Sequence, residues 1–303
     1  MKYSIVITVL MSVARIMPLL GETFDMPAMS LTVNTKSSKS PDATFWYHIP
    51  ENYDPARKSP YHVLVYFGGR DCSGENEARG KMGWAQWADA NDVFLVCPGF
   101  KGDEYWEPAK WSGDALLKAF SLLAREYNVE TRKVAYYGYS GGSQAANLFA
   151  AWKPQRCIVW VSHACGVFHE PNAGVNGIPA LVTCGDADIA RYVISRSFVE
   201  RARRKGYSII WKSYPNHDHD VPPESLALAQ AFLKHYLLDG GKQNSRTSKD
   251  IFVGDDQDDA YYPASSPEAQ FVPVEDRVYL PTREIADAWS CADSAACRER
   301  LNL

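Results

Sequence analysis

The sequence predicts an α/β protein built on a mostly parallel β-sheet with helices on both faces. Apolar, β-branched runs recur along the chain, and helix-like segments separate them. Most of these runs lack strict alternation of polar and apolar residues, which is typical of strands buried on both faces. Because strand and helix alternate, we expect a parallel sheet whose ligands bind beyond the carboxyl ends of the strands.

The composition is that of an ordinary globular protein. The chain has 303 residues, of which 46% are hydrophobic and 22% charged, so it is long enough to bury one large core. Its formal net charge is only -4, and its longest basic run, "RARRK" at 201–205, is typical of the solvated end of a helix. Nucleic acid is therefore not an expected partner.

Residues 1–21 are predicted to be a signal peptide. A lysine at position 2 precedes an apolar run over 5–14, and small residues follow near Gly21. The run has signal-peptide length and is too short to span a membrane. Arg15 interrupts it, so a buried N-terminal helix remains an alternative. We expect a secreted or periplasmic protein with no membrane span in its mature form.

The predicted strands begin with a hairpin. The segments "SLTVNT" and "ATFWYHIP" are expected to pair, and "YHVLVYFGG" follows as a buried run. The later strand-like runs are "DVFLVCPG", "KVAYYGYS", "CIVWVSHACG", "IPALVTCGDAD" and "YSIIWKSYPNHDHD". The helix-like segments between and after them cover 76–91, 114–127, 143–152, 191–205 and 224–238. Together these elements define a predicted catalytic domain over 22–240.

Residues 241–303 are predicted to be a linker followed by an extended tail that docks on the body. The tail is punctuated by proline, and its acidic run "GDDQDD" lacks EF-hand spacing, so we expect a solvated turn there. A short helix is expected over 282–289, with Thr282 as its N-cap. Ile285 and Trp289, four residues apart, would share the face that packs on the body.

The seven cysteines favour no metal or redox motif, because no C-x-x-C pair is present. In an exported protein, Cys291 and Cys297 could close a small loop near the C-terminus. The odd total leaves at least one free thiol.

A G-x-S-x-G pattern spans Gly138, Tyr139, Ser140, Gly141 and Gly142. A strand-like run precedes it and a helix-like run follows, which is the context in which this pattern forms a nucleophile elbow. Small residues at its ends let the backbone turn sharply and lift the serine above the sheet. The alternative is a glycine-rich turn without catalytic function.

A serine nucleophile needs a base that takes its proton and an acid that orients the base. Downstream, "GDAD" offers Asp186 or Asp188 as the acid, and "NHDHDVP" offers His217 or His219 as the base. Each candidate lies just past a predicted strand. A metal site at "HDHD" is disfavoured because no other His/Cys cluster accompanies it, and no cofactor is expected.

These motifs resemble those of the α/β-hydrolases. Within that superfamily, "FWYHIPENYDP" and "HVLVYFGGRDCSGEN" resemble secreted polyhydroxybutyrate-depolymerase-like and feruloyl-esterase-like enzymes, over roughly residues 44–238. The resemblance implies a triad of Ser140, Asp188 and His219, because the family's G-x-x-D and H-x-V-P patterns match at the last two. Asp186 and His217 remain the alternatives.

The resemblance also implies an oxyanion hole made of backbone N–H groups. Gly141 would supply one, and Gly69 or Arg70 the other, from the loop after "HVLVYF". The family usually has histidine where this chain has Phe67, which leaves open how the loop is held.

Aromatic side chains at the proposed rim are candidates for substrate binding. The main ones are Tyr139, next to the serine, and Trp106 and Trp111 in the segment "KGDEYWEPAKWSGD". Tyr105 lies in the same segment, and Phe168 lies in "HACGVFHEPNAGVNG". Packing within a long loop is the alternative for these rings. The expected function is cleavage of a carboxylic ester, whether polymer-linked or in a small molecule. A prolyl-oligopeptidase-type peptidase and a non-catalytic binding protein on the same scaffold are the rival interpretations.

Overall fold

A computed structural model describes residues 25–102, 104–170, 173–175, 177–241 and 251–291. The predicted signal peptide at 1–21 lies outside these residues. Within the described ranges, no helix is both long enough and apolar enough to cross a membrane.

An eight-stranded sheet forms the centre of the molecule. Its strands lie in the order β1-β2-β4-β3-β5-β6-β7-β8. Their bounds are β1 Met29–Asn34, β2 Asp42–His48, β3 His62–Phe67, β4 Val93–Gly99, β5 Val134–Tyr139, β6 Cys157–His163, β7 Ala180–Gly185 and β8 Ile209–Tyr214. Strands β1 and β2 form an antiparallel hairpin, and β2 pairs with β4 in the antiparallel sense. Strands β3 to β8 all run parallel to one another. The predicted hairpin and the mostly parallel sheet are confirmed.

Helices cover both faces of the sheet. Those before residue 241 are α1 Glu75–Ala78, α2 Trp84–Ala90, α3 Ser112–Glu126, α4 Gly141–Trp152, α5 Ile189–Arg204 and α6 Pro223–Leu233, the last followed by a π turn over Lys234–Leu238. The long helix predicted over 76–91 is broken. Gly80, Met82 and Gly83 have φ of 111°, 59° and 70°, which a continuous right-handed helix does not allow.

Two apolar layers lie between the sheet and its helices. Side chains of α3, α4 and α5 fill one layer, and those of α2 and α6 fill the other. Successive strand residues face opposite layers, so Tyr136 of β5 belongs to the first and Tyr137 to the second. Because helices cover both faces of the sheet, the side chains on both sides of each strand are apolar, which explains the continuous apolar runs in the sequence.

The described part of the tail, 251–291, has more regular structure than the extended segment that the sequence predicted. The strands β9 Phe252–Asp255, β10 Ala260–Pro263 and β11 Arg277–Leu280 form an antiparallel sheet in the order β10-β9-β11. Two short helices, α7 Pro267–Phe271 and α8 Arg283–Trp289, complete the unit.

Helix α8 packs against the main domain, the body formed by residues 25–241. The Thr282 hydroxyl accepts a hydrogen bond from Ile285 N at 3.2 Å, so the predicted helix and its cap are both present. The side chains of Ile285 and Trp289 are fully buried in the same apolar layer as α6. The indole Nε1 of Trp289 donates to the carbonyl of Trp211 in β8 at 2.8 Å.

Ion pairs also join the tail to the body. Asp259 Oδ1 lies 2.5 Å from Nζ of Lys212, whose side chain is only 1% exposed. Asp256 accepts a hydrogen bond from Arg196, and the Asp256 side chain is 4% exposed. The expectation of a solvated acidic turn is therefore wrong for Asp256, because its carboxylate meets a cation of the body.

Among the described residues, one cysteine is disulfide-bonded and five are free. Cys291 is disulfide-bonded, and Cys297, its predicted partner, lies outside the described residues. The free cysteines are Cys72, Cys97, Cys157, Cys165 and Cys184.

Candidate active site

Ser140 lies in a sharp turn between β5 and α4. Its φ of 56° and ψ of -122° fall outside the regions that ordinary residues favour. A Cβ added to Gly142 would collide with the carbonyls of Phe67 and Gly68, so only glycine permits this close approach. The amide N–H of Ser140 donates to the carbonyl of His163 at 3.0 Å. The strand, turn and helix predicted around the serine are all present.

The structure brings together the serine, histidine and aspartate that the sequence singled out. Ser140 Oγ lies 2.8 Å from Nε2 of His219, and Nδ1 of His219 lies 2.7 Å from Oδ2 of Asp188. The three residues follow β5, β8 and β7, whose carboxyl ends meet at one edge of the sheet. Asp188 is 5% exposed, whereas the His219 side chain is 32% exposed. This arrangement allows a proton to pass from the hydroxyl to the imidazole while the carboxylate stabilises the imidazolium.

Arg191 holds the second oxygen of the buried carboxylate. Its Nη1 donates to Oδ1 of Asp188 at 3.0 Å. Burial by itself would raise the pKa of Asp188, but the hydrogen bonds from His219 and Arg191 outweigh it and keep that pKa below its ordinary value. The sequence analysis missed Arg191. Its position three residues after Asp188, at the start of a helix, is the signal that would have found it.

The alternative acid and base have other partners. Asp186 Oδ1 accepts the amide N–H of Asn216 at 2.7 Å, and Nδ1 of His217 lies 2.9 Å from Oδ2 of Asp220. Both residues shape the loops around the site, but neither belongs to the hydrogen-bond chain of Ser140.

Two residues fix the loop that carries His219. The hydroxyl of Tyr139 donates to the carbonyl of His219 at 2.6 Å, so its polar end supports the histidine, whereas the sequence analysis assigned Tyr139 to substrate binding. His163 Nε2 donates to the carbonyl of Asp220 at 2.8 Å. Burial lowers the pKa of His163 to about 4, so this imidazole is neutral and its Nδ1 accepts from the hydroxyl of Thr183, which in turn accepts from that of Ser225.

The candidate oxyanion donors meet at the start of α4. A Cβ built on Gly141 would lie 3.2 Å from the backbone N of Arg70. Nothing lies within 4 Å of a Cβ built on Gly69. The backbone N of Arg70 is therefore close to Gly141, and we take Arg70 as the candidate second donor.

Phe67 anchors the loop that carries Arg70. Its ring is buried and lies 4.9 Å from the ring of Phe149 in α4 and 5.8 Å from that of Tyr136 in β5. Apolar packing of the Phe67 ring thus holds the loop.

The predicted aromatic platform is smaller than the sequence suggested. Trp106 is half-buried, and the Arg70 guanidinium lies 5.6 Å from its ring. Trp111 is 4% exposed and packs on Phe100 with ring centroids 5.4 Å apart, which favours the alternative of packing within its own loop. Phe168 stacks on Phe198 at 4.1 Å, as part of the packing of its own loop.

No protein-family model and no curated protein sequence matches the chain. Several solved structures are similar to this chain. A ferulic acid esterase is 14% identical with a TM-score of 0.56, over 69% of this chain and 97% of that one. FphF, a fluorophosphonate-binding serine hydrolase of Staphylococcus aureus, is 14% identical with a TM-score of 0.52, over 68% and 97%. A thermostable esterase is 17% identical with a TM-score of 0.52, over 64% of this chain, which spans only 56% of that esterase.

At these identities the likeness establishes the fold. The chain has the α/β-hydrolase fold, and its predicted structural resemblance to esterases and serine hydrolases of that fold is confirmed.

Proposed function

We propose that this protein is a secreted serine hydrolase that cleaves a carboxylic ester through an acyl-serine intermediate. The observation that carries the proposal is the continuous hydrogen-bond chain from Ser140 through His219 to Asp188. Its order along the chain, Ser then Asp then His, is that of α/β-hydrolases. The structural neighbours, which are esterases and serine hydrolases, support the same reaction class.

The first half of the reaction acylates the serine. Ser140 Oγ attacks the ester carbonyl carbon while Nε2 of His219 takes the hydroxyl proton, and the π electrons of the carbonyl move onto its oxygen. The N–H groups of Gly141 and Arg70 stabilise that oxyanion. When the intermediate collapses, the leaving alkoxide takes the proton from His219.

Water completes the reaction by the same steps. His219 deprotonates a water molecule that attacks the acyl-serine, and Ser140 leaves with the proton returned by the imidazole. The carboxylate of Asp188 stays ionised throughout, because its hydrogen bonds keep its pKa below the ordinary value. Among the described residues no group of three or more metal-ligating side chains is found.

We assign Trp106 and Arg70 to the substrate rim. The half-buried ring and the exposed guanidinium suit a phenolic or sugar ring attached to the ester, which favours a carbohydrate-linked acyl or phenolic ester over a plain aliphatic one. Polyesters contain the same carboxylic ester bond, so they should be tested as substrates as well.

Labelling with a fluorophosphonate probe tests the reaction class. We expect the wild-type protein to be labelled and Ser140→Ala to remain unlabelled, with ester turnover reduced by about a million-fold in the variant. The folded state of the variant is checked by circular dichroism. A folded Ser140→Ala protein that keeps a tenth of the wild-type rate rules out this nucleophile.

Substrate panels separate the rival activities. Turnover of p-nitrophenyl and feruloyl esters without turnover of matched proline-containing peptide amides supports the esterase. The reverse pattern supports the peptidase, and a wild-type protein that is neither labelled nor active supports a binding protein.

A further inference from the structure

The side chain of Tyr105 reaches the place where the loop after β3 meets the start of α4. A Cβ built on Gly141 would lie 2.5 Å from the Tyr105 hydroxyl oxygen and 3.2 Å from the backbone N of Arg70. The hydroxyl therefore occupies the space that any side chain at position 141 would need. It lies beside the two backbone groups that are the candidate oxyanion donors.

The Tyr105 hydroxyl is buried and unpaired. The residue is 3% exposed, and its hydroxyl has no hydrogen-bond partner among the residues that the structure describes. A buried hydroxyl without a partner destabilises a fold by about 1 to 3 kcal/mol. Such a donor is suited to an acceptor whose negative charge appears only during the reaction.

The ring that carries this hydroxyl is held in place. It packs on Trp106 and Phe100, with ring centroids 5.0 and 6.1 Å away. The hydroxyl of Ser112 donates to the Tyr105 backbone carbonyl at 2.5 Å, which ties the loop to the start of α3. Burial raises the pKa of Tyr105, so the phenol keeps its proton at any working pH. A fixed donor needs little reorganisation when charge develops.

We propose that Tyr105 is a third oxyanion donor, whose hydroxyl hydrogen-bonds the tetrahedral intermediate beside the N–H groups of Gly141 and Arg70. The assignment rests on the proposed ester hydrolysis. As Ser140 attacks, the carbonyl π electrons move to the oxygen, and the serine proton goes to His219. The phenolic proton stays on Tyr105 and only its hydrogen bond strengthens, so no further proton acceptor is needed.

The variant Tyr105→Phe removes the hydroxyl and keeps the ring. We expect kcat on p-nitrophenyl acetate to fall about 100-fold, as for the loss of other oxyanion donors, with little change in KM. The melting temperature should stay constant or rise, because the lost hydroxyl had no partner. A purely structural role for the hydroxyl predicts the opposite pattern, a lower melting temperature with kcat preserved.

Tyr137→Phe is the matched control. Its hydroxyl is also fully buried, but its ring packs on Trp84 with ring centroids 4.4 Å apart and belongs to the opposite apolar layer. This variant should keep the wild-type kcat. A comparable loss in Tyr137→Phe would overturn the assignment, since it would show that the effect is not specific to Tyr105.

Gly141→Ala provides an independent test of the contact. The added methyl group would displace the Tyr105 hydroxyl and lower kcat. In the double variant Gly141→Ala/Tyr105→Phe, the fold-reduction in kcat should be smaller than the product of the two single-variant reductions, because both substitutions remove the same interaction. Fully multiplicative losses would contradict the shared contact.

The outcomes separate this proposal from the function on which it rests. An active, fluorophosphonate-labelled wild type with full kcat in Tyr105→Phe overturns the role of Tyr105 and leaves the hydrolase intact. A wild type that neither reacts with the probe nor hydrolyses esters overturns both.

Discussion

At the scale of single residues, the site depends on polar groups whose hydrogen-bond partners are well defined. His219 bridges Ser140 and Asp188, and Arg191 satisfies the second carboxylate oxygen of Asp188. His217 instead pairs with Asp220. These differences in partners make neighbouring residues of the same type distinguishable by mutation.

His219→Ala should abolish ester turnover, whereas His217→Ala should reduce it by less than about tenfold. Only the imidazole between Ser140 and Asp188 can take the serine proton, and triad members act as a unit. Turnover of p-nitrophenyl acetate by both variants is the measurement. Asp188→Asn against Asp186→Asn repeats the comparison for the acid, and the opposite ranking in either pair would move the role to the other residue.

His163 should make the fold sensitive to acid. Burial lowers its pKa from 6.5 to about 4, so the fold favours neutral His163. The resulting stability is fully present above pH 6.5 and is lost as the pH falls towards 4, by about 3 kcal/mol in total.

The measurement is urea unfolding of the wild type and of His163→Gln at pH 7.5 and 4.5. Other groups contribute to both proteins, so the difference between the two pH dependences isolates His163. We expect a smaller loss of unfolding free energy in the variant. Identical pH dependences would contradict the assignment.

The sequence predicted the residues of the candidate triad because each follows a recognisable buried strand and carries its own motif. It missed the role of Arg191, and it placed Tyr105 only in an aromatic platform, because their roles depend on contacts between loops distant in sequence. Tyr105 meets Gly141 across 36 positions, and no local pattern records that approach. The burial of Trp111 was not predicted, because the sequence does not tell which face of a long loop is buried.

At the scale of secondary-structure elements, the contact between β8 and the tail has the largest energetic consequence. Lys212 of β8 is buried, with its ammonium group beside Asp259 and 4.9 Å from the ring of Trp289. Burial lowers the pKa of Lys212, which shows that desolvation outweighs the nearby carboxylate. An ion pair of this kind destabilises the fold most when one partner is removed.

Asp259→Ala should lower the free energy of unfolding by about 3 kcal/mol, because it leaves the charge of Lys212 buried without its carboxylate. Lys212→Met, which removes the buried charge and keeps an apolar stem, should be close to neutral. Urea denaturation followed by tryptophan fluorescence measures both.

Glu284→Ala is the control for this pair. Glu284 of α8 pairs with Lys234 after α6 at 3.0 Å, but both side chains are largely exposed. Its removal should change stability by less than about 1 kcal/mol. Equal effects of Asp259→Ala and Glu284→Ala would show that burial of Lys212 is not decisive.

Elements were predictable where periodicity and capping signals agree. Helix α8 follows from Thr282 and the spacing of Ile285 and Trp289, and the structure contains it. The small sheet of β9, β10 and β11 was missed because its strands have only four residues each and because β11 pairs with β9 across the intervening β10 and α7. The break between α1 and α2 depends on backbone angles at Gly80 and Met82 that a helix-like pattern does not reveal.

At the scale of the whole molecule, the tail completes the core of the body. Phe252, Val278, Leu280 and Trp289 belong to the same apolar layer as α6 and the central strands. The fold of the body and that of the tail are therefore energetically coupled.

A chain truncated after Gly240 should melt at least several degrees lower and aggregate. The truncation exposes the apolar surface under α8 and leaves the cations of Arg196 and Lys212 without their tail carboxylates. Differential scanning calorimetry and light scattering measure the two effects. An unchanged melting temperature would mean that the tail contributes nothing to stability, contrary to the burial of Trp289.

Export should remove the first 21 residues. An apolar run of signal-peptide length predicts a mature N-terminus near Glu22. Mass spectrometry of the protein recovered from the medium or periplasm measures that terminus. Recovery of the intact Met1 form from the cytoplasm would contradict secretion.

The hydrogen bond from Trp289 to Trp211 also bears on how the chain is made. The two residues lie 78 positions apart, and at about 5 to 20 residues per second the ribosome needs roughly 4 to 16 s to travel between them. During that interval β8 has emerged without the segment that covers it, and Lys212 has no carboxylate from the tail. The nascent chain thus contains Ser140, Asp188 and His219 before the segment that completes its core has been made.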